Sequence, residues 1–130
     1  MGFIAHMIDD GQEQPFETMP AAAGLALTVG TALCITGGKL ALAVGETSPS
    51  YFSAVERAAT TAGESVIVTR VAKKIIYETK LAVANTAIAI GAKYTIHSDG
   101  NGITATATNG VAEIISFDGT AAGSTVRVRF

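Results

Sequence analysis

The chain has 130 residues, enough for one ordinary domain or two very small ones and too few for a large core with an elaborate cleft. Hydrophobic residues make up 48% and charged residues 15%, with Ala, Thr, Val, Ile and Gly prominent, which is the vocabulary of strands and turns. Nine basic residues against eleven acidic ones give a net charge of −2, which argues against the cationic surface that nucleic acid requires.

The first twenty residues are acidic and apolar at once. Asp9, Asp10, Glu13 and Glu17 precede the first basic residue, Lys39, while Phe3, Ile4, Met7, Ile8, Phe16 and Met19 are apolar although no turn-bounded strand pattern has begun. A monomer does not gain by exposing such residues. Residues 1–20 are therefore expected to form an extended arm, which either covers the base of the domain or adds to a partner's sheet edge. The opening Met1-Gly2-Phe3-Ile4 lacks a basic leader pattern, and Cys34 is the only cysteine, so no internal disulfide is expected. A cytoplasmic site of synthesis follows, with exit only as part of an assembly.

From Pro20 to Gly38 the chain is uncharged and about as long as a membrane span, but Gly24, Gly30, Gly37, Gly38 and three threonines interrupt it. It reads as strands and turns, not as a membrane segment. Further turns are expected at Ser48-Pro49-Ser50, Ala62-Gly63, Asp99-Gly100-Asn101-Gly102, Asn109-Gly110, Asp118-Gly119 and Ala122-Gly123, leaving room for strands of about five to eight residues. Tyr51 to Val55 has strand character, with a helical turn over Ser53 to Ala62 as the weaker alternative. Alternation from Ile103 to Thr108, and of Val126, Val128 and Phe130 with Arg127 and Arg129, predicts strands with one wet face.

Two stretches recur. Thr28-Val29-Gly30 through Ile35 aligns with Ala89-Ile90-Gly91 through Ile96, and Thr61-Ala62-Gly63 through Val68 aligns with Ala121-Ala122-Gly123 through Val128, sixty or sixty-one residues apart. Gly37-Gly38-Lys39-Leu40-Ala41 matches Asn101-Gly102-Ile103-Thr104-Ala105 within a few residues, and Ala54-Val55 matches Ile114-Ile115. The expected fold is all-β: a compact sandwich or barrel over residues 21–130, built from two similar repeats at about 21–71 and 82–130. A crossover at 72–81, containing Lys73-Lys74 and Ile75-Ile76-Tyr77, joins them. A unit of about fifty residues is marginal alone, so the halves are expected to pack together.

Chemistry-bearing residues are few. His6 with Asp9 and Asp10 has metal-ligand types, but a polar arm explains them. His97 beside Asp99 resembles a base with its orienting carboxylate, yet no nucleophile occurs in a recognised context. Asp99-Gly100-Asn101-Gly102 begins like a calcium loop, but Ile103 falls on the next ligand position and no glutamate closes it. Gly100-x-Gly102 is not followed by the helix that a dinucleotide site needs. Cys34 reads as a core filler. No enzyme activity, cofactor or metal is expected. Lys73, Lys74, Arg127 and Arg129 are the local concentrations of positive charge, and apart from a solvated strand face their candidate role is subunit contact.

With these features in place, the chain resembles the small decoration or cement proteins of tailed-phage heads. The resemblance is carried by the opening Gly2 to Gly11, the Thr28-Val29-Gly30 step, Ala62 to Val68, and the closing Ala121 to Phe130. It implies a structural virion protein on the outer surface of the head, made in the host bacterial cytoplasm, binding the major capsid protein and stabilising the shell. It also implies a homo-oligomer, a trimer being favoured, and a capsid-binding arm comprising Phe3, Ile4, Met7, Ile8, Asp9, Asp10 and Phe16. The plain two-fold internal pattern departs from that group. A fibre or adhesin module that binds carbohydrate or a receptor is the alternative, weakened by the absence of Trp and by having only three Tyr.

Overall fold

The computed structural model describes residues 2–9, 11–12 and 14–130. All regular structure among them is β: β1 Ile4–Ile8, β2 Phe16–Pro20, β3 Leu25–Leu27, β4 Ala32–Thr36, β5 Lys39–Leu42, β6 Tyr51–Ser53, β7 Arg57–Ala59, β8 Ser65–Arg70, β9 Ile75–Lys80, β10 Lys93–Tyr94, β11 Ala112–Phe117 and β12 Thr125–Arg129. The all-β expectation holds, and the stretch from Ser53 to Ala62 is strand, bend and strand with no helical turn.

One five-stranded sheet has the order β1-β9-β12-β11-β10, a second has the order β2-β8-β6-β4-β5, and β3 pairs with β7 as a two-stranded ribbon. All ladder pairings are antiparallel. Two parallel bridges, Ala21 to Leu40 and Leu81 to Ile103, curl each sheet back toward its own edge.

The same backbone hydrogen bonds occur in both sheets. The Gly30 N–H donates to the Ser53 carbonyl at 2.7 Å, and the Gly91 N–H donates to Ile114 at 2.8 Å. The Gly63 N–H donates to Ala21 at 2.8 Å, and the Gly123 N–H donates to Leu81 at 2.7 Å. These glycines have φ between +86° and +89°, a region that costs any residue with a Cβ. The hydrophobic-Gly and Ala-Gly steps are thus the corners at which strands leave one ladder and enter the next. Ser53, not Ala54, is the partner position of Ile114, one residue from the alignment of Ala54-Val55 with Ile114-Ile115.

Burial follows the pleat. In β8 and β12 every second residue is inside, with Val66, Val68, Val126 and Val128 at 0% exposure. Each such side chain contributes roughly 1.5–3 kcal/mol relative to exposure. There are two cores. Ala21, Leu25, Leu27, Leu33, Leu40, Tyr51, Ala59, Val66 and Val68 form the smaller. The larger gathers Leu81, Ile88, Tyr94, Ile96, Ile103, Ile114, Val126 and Val128, and it also takes Phe3, Ala32, Ala43 and Phe52 from the first half of the chain. Phe52 stacks on Phe3 at 5.2 Å and meets Tyr77 edge-on at 4.7 Å, and Phe130 lies 5.4–5.9 Å from Phe3, Phe52 and Tyr77. This aromatic group joins the halves, because the face of the second sheet that bears Phe52 packs onto the first.

Three expectations need correction. Residues 72–81 are not only a crossover: β9 occupies Ile75–Lys80 and lies between β1 and β12, with Ile75, Tyr77 and Thr79 buried. Residues 1–20 are not one arm, since β1 is the edge strand of one sheet and β2 the edge strand of the other. The Ile103–Thr108 alternation makes a bridge at Ile103 only. Beyond it, the Thr106 N–H turns to the Thr104 hydroxyl at 3.0 Å, a local bond that competes with a ladder.

Candidate functional site

The apolar residues near the N-terminus divide by register. Ile4 lies opposite Glu78 and Met7 opposite Ile76, while Ala5 lies opposite Tyr77 and Ile8 opposite Ile75, with a bulge at His6 between Ala5 and Met7. In a regular strand, positions 4 and 7 fall on opposite faces. The extra residue brings both onto the outer face of the sheet, where Ile4 is 40% and Met7 54% exposed. The bulge thus creates an exposed apolar pair on an edge strand.

Ile8 turns the other way, toward a cleft of about 380 Å³ between the two sheets. Phe3, Ala5, Phe16, Phe52, Ile75 and Tyr77 line it with Ile8, and His6, Gln14, Thr69 and Arg70 are its polar members. Phe16, at the start of β2, is 73% exposed. Arg70 is held by Glu17 at 2.8 Å and sits 5.0 Å over the Tyr51 ring. The hydrogen bond from Arg70 holds the Glu17 carboxyl below the usual carboxylate range. Burial pushes the Tyr77 hydroxyl up, although the N–H of Ala72 donates to it at 3.2 Å.

Of the seven arm residues named from the sequence, Ile4, Met7 and Phe16 are the large apolar ones at the surface, and Ile8 is half-buried in the cleft. Phe3 is 2% exposed and belongs to the aromatic group, so it is a core residue and not a docking residue. Gly2 makes that burial possible: a Cβ there would lie 2.4 Å from the Gly30 backbone, across which the Phe3 N–H donates to the Gly30 carbonyl at 2.8 Å. Asp9 donates its N–H to Lys74 at 3.0 Å and places a carboxylate oxygen 3.6 Å from Arg129. Asp10 lies outside the described residues.

The four basic residues do not form one cluster. Arg127 is engaged within the chain by Asp118 at 3.0 Å, Glu78 at 3.2 Å and Ser116 at 3.3 Å, and the Asp118 carboxylate, with Glu78, keeps its guanidinium firmly charged. Glu78 also faces His6 at 3.4 Å. Arg129 and Lys73 border a hollow of about 200 Å³ with Lys93, Val111, Glu113 and Phe130. The Lys74 carbonyl serves the bond to Asp9.

His97, Asp99 and Asn101 lie together in one loop. His97 Nδ1 lies 3.0 Å from Asp99, and the Asn101 N–H donates to the same carboxylate oxygen at 2.8 Å. Partial burial pushes Asp99 up, but the bonds from Asn101 and His97 outweigh it and leave its carboxyl low. The loop's neighbours explain its shape. The Asn101 side-chain oxygen accepts from the Thr28 and Thr31 hydroxyls at 3.2 and 3.1 Å, and the Gly100 carbonyl accepts from the Ala32 N–H at 2.9 Å. Asp99 to Gly102 is therefore a clamp from the second half onto the first. No group of three or more His, Cys, Asp or Glu among the described residues is placed to hold a metal, and no helix is long and apolar enough to cross a membrane.

Sequence reasoning named Phe16 but missed the cleft that it borders. Phe52, Thr69, Arg70 and Tyr77 come from β6, β8 and β9, far along the chain from β1 and β2. Comparison of the chain with protein-family models, characterised proteins and solved structures finds no match.

Proposed function

We propose that the chain is a structural protein of a tailed-phage head, a decoration or cement protein that binds the outer surface of the assembled shell through the major capsid protein and stabilises it. The observation that carries this reading is the exposed apolar pair Ile4 and Met7, set on one face of an edge strand by the bulge at His6, with Phe16 exposed nearby. Such a surface fits a macromolecular partner better than a small substrate. Binding only to the assembled state stabilises that state by mass action and needs area, not chemistry. A trimer of the chain on the shell is part of this proposal.

The test is co-sedimentation with expanded, undecorated heads. Removing residues 1–16 is the wrong variant, because it takes away β1 and the buried Phe3 together. The double variant Ile4→Ser, Met7→Ser keeps both. Saturable binding of the native chain at a fixed copy number per capsomer is expected, weakened by the double variant about tenfold or more, equivalent to about 1.4 kcal/mol. Failure of the native chain to bind, together with binding to host cells or glycans without heads, would replace this reading with that of a fibre or adhesin module.

A further inference from the structure

β2 and β9 hold the same place in their sheets, each next to the strand that follows an Ala-Gly turn. Backbone groups alternate along a strand, so one bonded position fixes the rest. Ala21 directs its N–H to Glu64 and its carbonyl to Gly63, both at 2.8 Å, on the β8 side. Phe16 and Thr18 therefore point their N–H and C=O groups away from β8. Leu81 bonds in the same way to Ser124 and Gly123, at 2.9 and 2.7 Å. Ile76 and Glu78 accordingly point away from β12, and β1 fills that edge, with Met7 opposite Ile76 and Ile4 opposite Glu78. Beyond the ends of β2 and β9 the two edges are closed alike: Ala22 donates to Leu40 at 3.0 Å and Ala82 to Ile103 at 2.9 Å. What differs is residues 16–18, the counterpart of 76–78, beside which no described strand lies.

We infer that the outer edge of β2 is a receptor site for an extended segment of a partner protein, which adds to the sheet as a strand antiparallel to β2. β1 shows the chemistry such a segment needs. It is free of Asp, Glu, Lys and Arg and mostly apolar. The residue of the segment opposite Phe16 shares the face on which Phe16 lines the cleft, so main-chain bonds supply affinity and the rim of the cleft supplies selection. A second copy of β2 is a poor occupant. Pairing Phe16 with Thr18 across a two-fold axis sets Glu17 against Glu17, and like charges directly opposite are destabilising. The inference rests on strand order and stands apart from the proposal of a phage shell.

The probe is a capped peptide with the sequence of residues 2–8, added to the ¹⁵N-labelled full chain. Saturable shifts and about tenfold slower amide exchange at Phe16 and Thr18 are expected. Thr18→Pro removes an outward N–H without touching the β8 ladder and abolishes the effect while the native spectrum is kept. Phe16→Asp, which leaves the backbone donors in place and charges the cleft, weakens it as well and serves if the proline variant does not fold. Unchanged exchange at Phe16 and Thr18, changes confined to β9 because the peptide only displaces β1, or the same protection from dimerisation without peptide would each overturn the inference.

Discussion

Gly30 and Gly91 turn the chain at the same point of each half, with φ of +87° and +86° and the same bond across the corner. Around Gly91 a Cβ would meet open space, whereas at Gly30 it would lie 2.6 Å from the backbone of Phe3. The same contrast recurs at other paired positions. Glu17 and Arg70 form an exposed ion pair; sixty residues later stand Tyr77 and Phe130, whose rings lie 5.9 Å apart. Phe52 in the β2 sheet is buried, and Glu113, at the matching position of the β9 sheet, is half-exposed. One hydrogen-bond plan thus supports two different surfaces. The difference comes from the N-terminal segment, which crosses Gly30, inserts Phe3 and covers the β9 edge.

The largest expected effect that tests this comparison is at the paired glycines. Gly91→Ala is expected to cost about 1–2 kcal/mol for its left-handed conformation. Gly30→Ala carries the same strain and also expels Phe3, for a total of about 4–5 kcal/mol. Urea denaturation of both variants measures the gap, and equal losses would mean that the N-terminal crossing does not hold the halves together. Next is Phe52→Ala, expected to cost about 3–5 kcal/mol for a buried aromatic, against Glu113→Ala, expected to fall within about 0.5 kcal/mol as a surface change. Similar midpoints for those two would show that the aromatic group is not the joint between the sheets.

The smallest effect concerns Glu17. Because its carboxyl titrates lower in the folded chain than in the unfolded one, its pairing with Arg70 stabilises at neutral pH, and that contribution disappears as pH falls through the depressed value. Glu17→Gln should therefore unfold at slightly lower urea than the parent at pH 7, with the two midpoints converging in acid and the difference shrinking in high salt. A gap that persists in acid would assign the loss to packing and not to charge.

Much of this was legible in the chain itself. The hydrophobic-Gly and Ala-Gly steps, sixty or sixty-one residues apart, mark corners whose hydrogen bonds match. Alternation in Ser65–Arg70 and Thr125–Arg129 marks the two strands with the most completely buried valines. β9 was hidden because Lys73-Lys74 and three consecutive apolar residues resemble a linker, and no local pattern says that Ile75 and Tyr77 face a core assembled from both halves. The threonine run after Ile103 misled in the other direction: Thr104 and Thr106 still bond Thr95 through the backbone, but the Thr106 N–H goes to the Thr104 hydroxyl and interrupts a regular ladder.

The candidate site divides along the same line. Composition alone determined that Ile4, Met7 and Phe16 are apolar residues without an obvious core to enter, and that the chain is built of strands. Tertiary structure decided which of their neighbours is buried, because Phe3 finds its place only where Gly2 passes Gly30. It also decided that Ile4 and Met7 share a face, because a bulge is a property of a ladder and not of a strand. The open edge at residues 16–18 of β2 belongs wholly to that level: among the described residues no strand lies beside it, and no residue along the chain records an absent neighbour.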